Sequence, residues 1–219
     1  MSELVILDLD GVIIKSQSQQ IFLNYLFKKK LIGLFFYLKI YFWFVLYKLG
    51  LVNDPKKIMD YAYSFLKGKK TEDIEKIVEI FFNEKLQQFI FSEIIDIINK
   101  HKSQGRELVI ISNSVDVIVS RVAKFLGIKN YISTQLENTD RIFTGKILGD
   151  IIYGKNKITV VKEFIKNNNL NLNNSYAYTD HISDLNLLLM VKNPNAVNPD
   201  RFLFTKAKKN NWPILIFKK

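Results

Sequence analysis

Asp8-Leu9-Asp10-Gly11 closes the first apolar run of the chain. Two carboxylates two positions apart in one loop share a small volume that suits a hard cation such as Mg2+, which takes oxygen ligands. An Asx turn with a glycine exit would use the same four residues, so the pair decides nothing alone. A second apolar run ends in Ser112-Asn113-Ser114. There a hydroxyl and the free N–H groups of an incoming helix suit a phosphate oxygen, although an ordinary helix cap has the same composition. Gly154-Lys155-Asn156-Lys157 opens a helical pattern with lysines, which the helix dipole disfavours. An ammonium aimed at a phosphate supplies a reason, whereas Lys155 by itself reads as solvated surface. The third apolar run leads into Thr179-Asp180-His181-Ile182-Ser183-Asp184. Its two carboxylates at i and i+4 face one metal if a helix starts between them, and Ser183 or Asp184 singly reads as a helix cap.

The elements that must position these residues follow from hydrophobic patterning. Residues 4–7, 108–111 and 175–179 are short runs that read as buried parallel strands, with a last strand at 213–217. Helical periodicity covers 92–102, 116–126, 157–167 and 183–191. Alternating strands and helices predict an α/β fold with a Rossmann-like parallel sheet, whose carboxyl edge gathers all the polar clusters. Residues 13–91 break the alternation with a helical pattern. They read as a mainly helical cap inserted after the first strand, leaving 1–12 and 92–219 as the core.

Within that cap, residues 31–52 carry 18 apolar positions, the exceptions being Gly33, Lys39, Lys48 and Gly50. The length suffices for a membrane span, but one crossing would separate Asp8 from Ser112 and Asp180. The segment is therefore expected in a membrane interface, in a re-entrant hairpin, or inside the cap or a dimer. Lys28, Lys29, Lys30, Lys56 and Lys57 flank it, so residues 28–57 are a candidate contact with an anionic membrane. The chain of 219 residues has a net charge of +11, which favours anionic partners. Only Arg106, Arg121, Arg141 and Arg201 offer the guanidinium on which base readout leans, and no nucleic acid is expected. Cysteine is absent, excluding thiolate chemistry and fitting a reducing compartment. No leader is apparent in the sequence, and the expected location is cytoplasmic, peripheral on the inner membrane face.

Taken together, the four polar clusters resemble the motifs of the haloacid dehalogenase superfamily, and the insert position resembles its phosphoserine-phosphatase-like branch. The resemblance implies a phosphatase with Asp8 as nucleophile and Asp10 as acid and base. It also implies Ser112, Asn113 and Lys157 as phosphate ligands, and Mg2+ held by Asp8, Asp180, Asp184 and the backbone carbonyl of Asp10. Lys157 takes the lysine position of the family. Val12 stands where the family usually has Thr, and His181 where this group often has Ser.

Substrate choice is expected in the cap. Between Gly11 and Asn53 there is no acidic residue, and before Arg106 there is no Arg, so a cap built to grip a phosphoamino acid is disfavoured. The expected substrate is a membrane-lipid phosphate such as phosphatidylglycerophosphate or lysophosphatidic acid, its acyl chains staying in the bilayer. A soluble small-metabolite phosphatase and a phosphotransferase on the same core are the alternatives.

Overall fold

Leu4, Val5, Ile6 and Leu7, the interior of strand β1 (Glu3–Asp8), are wholly buried. A strand apolar on both faces needs a helical layer on each side. The computed structural model, which describes residues 3–49, 51 and 54–218, supplies both layers. After β1 come the helices α1 (Ser18–Lys28), α2 (Leu34–Lys48), α3 (Pro55–Tyr63) and α4 (Thr71–Phe81), then short turns of 3-10 and π type. Next are α5 (Ser92–Ser103), β2 (Glu107–Val115), α6 (Asp116–Leu126), β3 (Asn130–Thr139), β4 (Ile142–Leu148) and α7 (Lys155–Asn167). The chain continues through β5 (Asn171–Thr179), α8 (Leu185–Met190), β6 (Asn193–Val197), α9 (Arg201–Lys209) and β7 (Ile214–Leu215).

The described strands form one sheet in the order β4-β3-β2-β1-β5-β6-β7, parallel except for the β3–β4 hairpin. From β1 the chain builds outward to β4, then returns to add β5 on the other side of β1. That reversal opens a crevice at the carboxyl ends of β1 and β5, where open α/β sheets bind ligands. Asp8 lies opposite Ile111 and Leu7 opposite Tyr178, so Ser112 and Asp180 fall just beyond the level of Asp8.

Several elements differ from the sequence expectation. β3 and β4 lack the apolar run of an interior strand, and Asp140 and Arg141 turn between them with φ of 50° and 61°. A tight hairpin turn with left-handed residues normally advertises itself through Gly, which is missing here. β6 contains Pro194 and Asn195, both poor strand markers. Helix α7 starts at Lys155, and 183–191 divides into a 3-10 turn at Ile182–Asp184 followed by α8. Ser114 does not cap α6: it is buried, and its Oγ accepts from Ser18 Oγ at 2.9 Å. Nor do Ser183 and Asp184 act as side-chain caps. His181 takes that place, its ring nitrogen accepting from the Ser183 N–H.

The apolar segment 31–52 is mostly the 15-residue helix α2; residues 50, 52 and 53 lie outside the described residues. Among the described residues no helix is long and apolar enough to cross a membrane. One side of α2 packs on its neighbours: Tyr37 stacks on Phe27 at 4.3 Å, Phe36 meets Tyr61 and Phe65, and Ile40 is buried. On the other side Phe35 is 89% exposed, and Leu38, Phe42 and Val45 are exposed too. A helix apolar all round is normally enclosed on all sides, and this one is not.

Candidate active site

Asp8 ends β1 with its Oδ1 accepting from the N–H of Leu9, which leaves Oδ2 for the crevice. Lys157, in the first turn of α7, is buried and places Nζ 3.0 Å from Asp8 Oδ2 and 2.7 Å from Asp184 Oδ2. Burial disfavours the charged ammonium, but the two carboxylates outweigh it and hold the Lys157 pKa above the ordinary value. Burial also raises Asp8 well above the usual carboxylate range; Lys157 opposes this, while Asp184 and Asp180 add to it. An ordinary carboxylate pKa is therefore not what this site gives Asp8 on its own. Asp180 is pushed up to about 7, by burial first and by the Asp184 charge second.

Asp10 is turned differently. Its Oδ1 accepts from the N–H of Ser18 at 2.8 Å, and burial lifts its pKa to about 6. A carboxyl poised near neutrality is suited to giving and taking a proton. Ser18 and Ser114 tie this loop to the second motif, where Ser112 Oγ accepts from the Ser114 N–H at 3.0 Å. The Ser112 hydroxyl proton stays available for a phosphoryl oxygen. Asn113 adjoins it and lines the mouth of a cavity beneath the cap helices. Lys155 is exposed, as its solvated reading requires.

Gly11 joins the first motif to the fourth. It has φ +79°, and a Cβ there would lie 2.0 Å from Asp180 Oδ2. Neither demand showed in the local spacing. Ser18 was equally hidden, because only the fold brings it to Asp10. Asp200 caps α9: its carboxylate accepts from Leu203 N at 2.7 Å, and also from Ile182 N at 3.0 Å, bracing the loop after Asp180. His181 is exposed and sits 3.3 Å from Asp200 Oδ2, with Ser183 on its other nitrogen. Val12 is fully buried in the core.

The donor set fits a hard divalent cation. Asp8, Asp180 and Asp184 are oxygen donors that interact electrostatically around the single ammonium of Lys157. Burial first, and the neighbouring carboxylates second, disfavour the charged forms of Asp8 and Asp180, and a bound cation would favour them. Among the described residues no three acidic or imidazole groups form a ready-made cage, and Lys157 binds Asp8 and Asp184 directly.

The cavity has a volume of about 270 Å³ and lies between α1, α2 and α3 on the cap side and Asn113, Ile151 and Tyr153 on the other. Its walls are largely apolar, and none of the described residues lining it is charged.

A sheet reversal with an aspartate at the end of its central strand, a serine on the neighbouring strand and a buried lysine bound to that aspartate marks the carboxyl edge of this α/β core as a candidate phosphoryl-transfer site. The chain belongs to the haloacid dehalogenase-like hydrolase family, whose model matches residues 5–189, and within it to the phosphoserine-phosphatase-like branch of phosphatases. It is 30% identical to a histidinol-phosphatase of Neisseria meningitidis, covering 100% of both chains. It is also 30% identical to a probable phosphatase of Mycobacterium tuberculosis, over 96% of this chain and 74% of that one. An inhibition of morphological differentiation protein of Streptomyces azureus is 29% identical over 75% of this chain; the match spans only 60% of that relative's length. Among solved structures, a Bordetella pertussis protein of unknown function superposes with a TM-score of 0.89 at 19% identity, covering 98% and 99% of the two chains. A phospho-aspartyl intermediate analogue of phosphoserine phosphatase superposes with a TM-score of 0.68 at 17% identity, over 100% and 94%.

Proposed function

We propose that the protein hydrolyses phosphate monoesters of an amphiphilic alcohol at an anionic membrane surface, through an aspartyl-phosphate on Asp8. The observation that carries the chemistry is the bridge from Lys157 to Asp8 and Asp184 at the sheet reversal. In the first step an Asp8 oxygen forms a bond to phosphorus while the ester P–O bond breaks, and Asp10 gives its proton to the leaving alkoxide. Ser112 and Lys157 bind the phosphoryl oxygens, with Asn113 beside them. In the second step water attacks phosphorus, Asp10 takes its proton, and Asp8 is released. Mg2+, held by Asp8, Asp180, Asp184 and the Asp10 backbone carbonyl, supplies charge neutralisation to the reacting phosphate when bound. Gly11 keeps Asp180 close to the loop of Asp10.

Residues 13–91 act in this reading as the cap over a core of 1–12 and 92–219. The two connections run side by side at the boundary, with Lys15 N–H donating to Phe89 O at 2.8 Å and Phe91 N–H to Ile13 O at 3.0 Å. The membrane side of the reading rests on α2, whose exposed Phe35, Leu38, Phe42 and Val45 lie on a cap rich in exposed lysines such as Lys28, Lys30 and Lys39. Apolar insertion and attraction to anionic lipid act together on such a surface. Relatives named for phosphoserine and histidinol phosphate favour a soluble metabolite instead. The uncharged cavity opposes a phosphoamino acid, whose ammonium and carboxylate would be desolvated there without partners. A panel of soluble and vesicle-borne phosphomonoesters, assayed with wild type and Asp8→Asn in Mg2+, tests the reading. Turnover of amphiphilic phosphates by wild type alone supports it; preference for phosphoserine overturns the substrate class.

A further inference from the structure

Resting on the phosphatase reading, we infer that the cavity under α2 encloses the apolar body of the leaving alcohol, so that the enzyme selects a phosphate monoester of an uncharged, single-chain alcohol. This reverses the expectation that the hydrocarbon stays in the bilayer. The cavity lining is mostly apolar with a few amides and phenols. Asn113 adjoins Ser112, Gln19 Nε2 donates to the Asn113 carbonyl at 3.5 Å, and Tyr63 OH donates to Gln19 Oε1 at 2.9 Å. Such groups can meet the ester and hydroxyl groups of a leaving alcohol. Leu23, Leu26, Ile40, Ile58, Met59 and Ala62 offer only hydrocarbon and a thioether. Burying a chain against such walls is favourable in proportion to the apolar area removed from water, and burying a charge there is not.

The volume limits the chain count. About 270 Å³ falls just below the roughly 300–1,000 Å³ of ordinary ligand pockets, a size that suits a single chain better than a pair. The cavity wall and the exposed apolar surface are two sides of one helix: Ile40 and Tyr41 of α2 line the cavity, while Phe35 and Leu38 face outward. A chain leaving a bilayer at α2 therefore exchanges one apolar environment for another.

The test is a homologous series from ethyl to dodecyl. Binding of n-alkyl phosphonates, which cannot be hydrolysed, is measured by calorimetry below their aggregation limits, and hydrolysis of the matching alkyl phosphates is measured alongside. Affinity and kcat/KM are expected to rise about three- to fourfold per added methylene until the cavity is full, then level off. Ala62→Phe should bring the plateau to a shorter chain and Met59→Ala to a longer one. Each readout is a ratio between chains on the same variant, so a loss of folded protein cancels. A flat wild-type series with active hydrolysis overturns the cavity assignment alone, as do two variants that keep the wild-type plateau. Phosphonates that bind with the expected slope, beside phosphates that are never hydrolysed, uphold the cavity and overturn the phosphatase reading.

Discussion

Around Asp8 charged groups are buried and neutralise one another, whereas on the outer side of α2 apolar groups stand in solvent. Both regions reverse the ordinary preference of their residues. At the carboxyl edge of β1 the reversal is offset locally: Lys157 is enclosed by Asp8 and Asp184, and Asp10 by the Ser18 N–H. On α2 no such offset exists within the described chain for Phe35, which is 89% exposed. In the proposed reading the first region needs only a cation for phosphoryl transfer, and the second is the surface offered to a bilayer.

The sharpest way to break the comparison is at its charged side. Asp8→Asn should lower kcat by at least about a hundredfold while leaving the melting temperature unreduced, because Lys157 keeps Asp184 and one source of carboxylate repulsion is removed. Retention of more than a few per cent of activity would remove Asp8 from the chemistry. Chelation should abolish turnover, and Mg2+ or Mn2+ should restore it where Zn2+ does not, since the donors are oxygens. Full activity in excess EDTA contradicts that expectation.

Gly11→Ala probes the contact between the first and fourth motifs. Its φ of +79° and the 2.0 Å approach to Asp180 Oδ2 require either a backbone shift or displacement of the carboxylate. Activity should fall more than about tenfold and stability by roughly 1–2 kcal/mol, read from turnover and urea unfolding. Wild-type turnover in this variant would mean that the placement of Asp180 is not demanding.

On the apolar side, Phe35→Ser with Leu38→Ser and Phe42→Ser should weaken sedimentation with anionic vesicles about tenfold or more, with hydrolysis of phenyl phosphate held within about twofold. Wild-type binding should decline, but not vanish, as salt rises, because only its Coulomb part is screened. Undiminished sedimentation of the triple variant would refute docking through α2.

One further effect lies outside both regions and bears on stability alone. His101 is buried, its Nδ1 accepting from Arg106 and its Nε2 2.8 Å from Tyr178 OH. Burial and then the Arg106 charge lower its pKa from 6.5 to about 4. The unfolded chain therefore takes up a proton that the folded chain refuses, and stability should fall by up to ~3 kcal/mol as pH drops from about 6.5 to about 4. His101→Gln should flatten that slope in urea titrations; an unchanged slope assigns it to other groups.

The carboxyl edge was legible because acids and a serine close apolar runs and a lysine opens a helix between them; no cluster chose a reaction alone, and together they resembled the haloacid dehalogenase motifs. β1, β2 and β5 were legible because burial on both faces leaves an unbroken apolar run. β3 and β4 were not, since the half-exposed hairpin they form accepts Gln135 and Thr144 as readily as apolar residues. Gly11 meets Asp180 169 positions away, and Ser18 joins Asp10, eight positions back, to Ser114, 96 positions on, contacts that local spacing does not encode. The segment 31–52 was recognisable as unusual, yet the cavity behind it depends on how α1, α2 and α3 splay.

The most direct test is mass spectrometry of protein quenched in acid during turnover of a phosphomonoester. A phosphate adduct on the peptide that contains Asp8, absent from Asp8→Asn, is the predicted result. An adduct on another residue, or none in wild type while product accumulates with a burst-free time course and Asp8→Asn still turns over, would contradict the account.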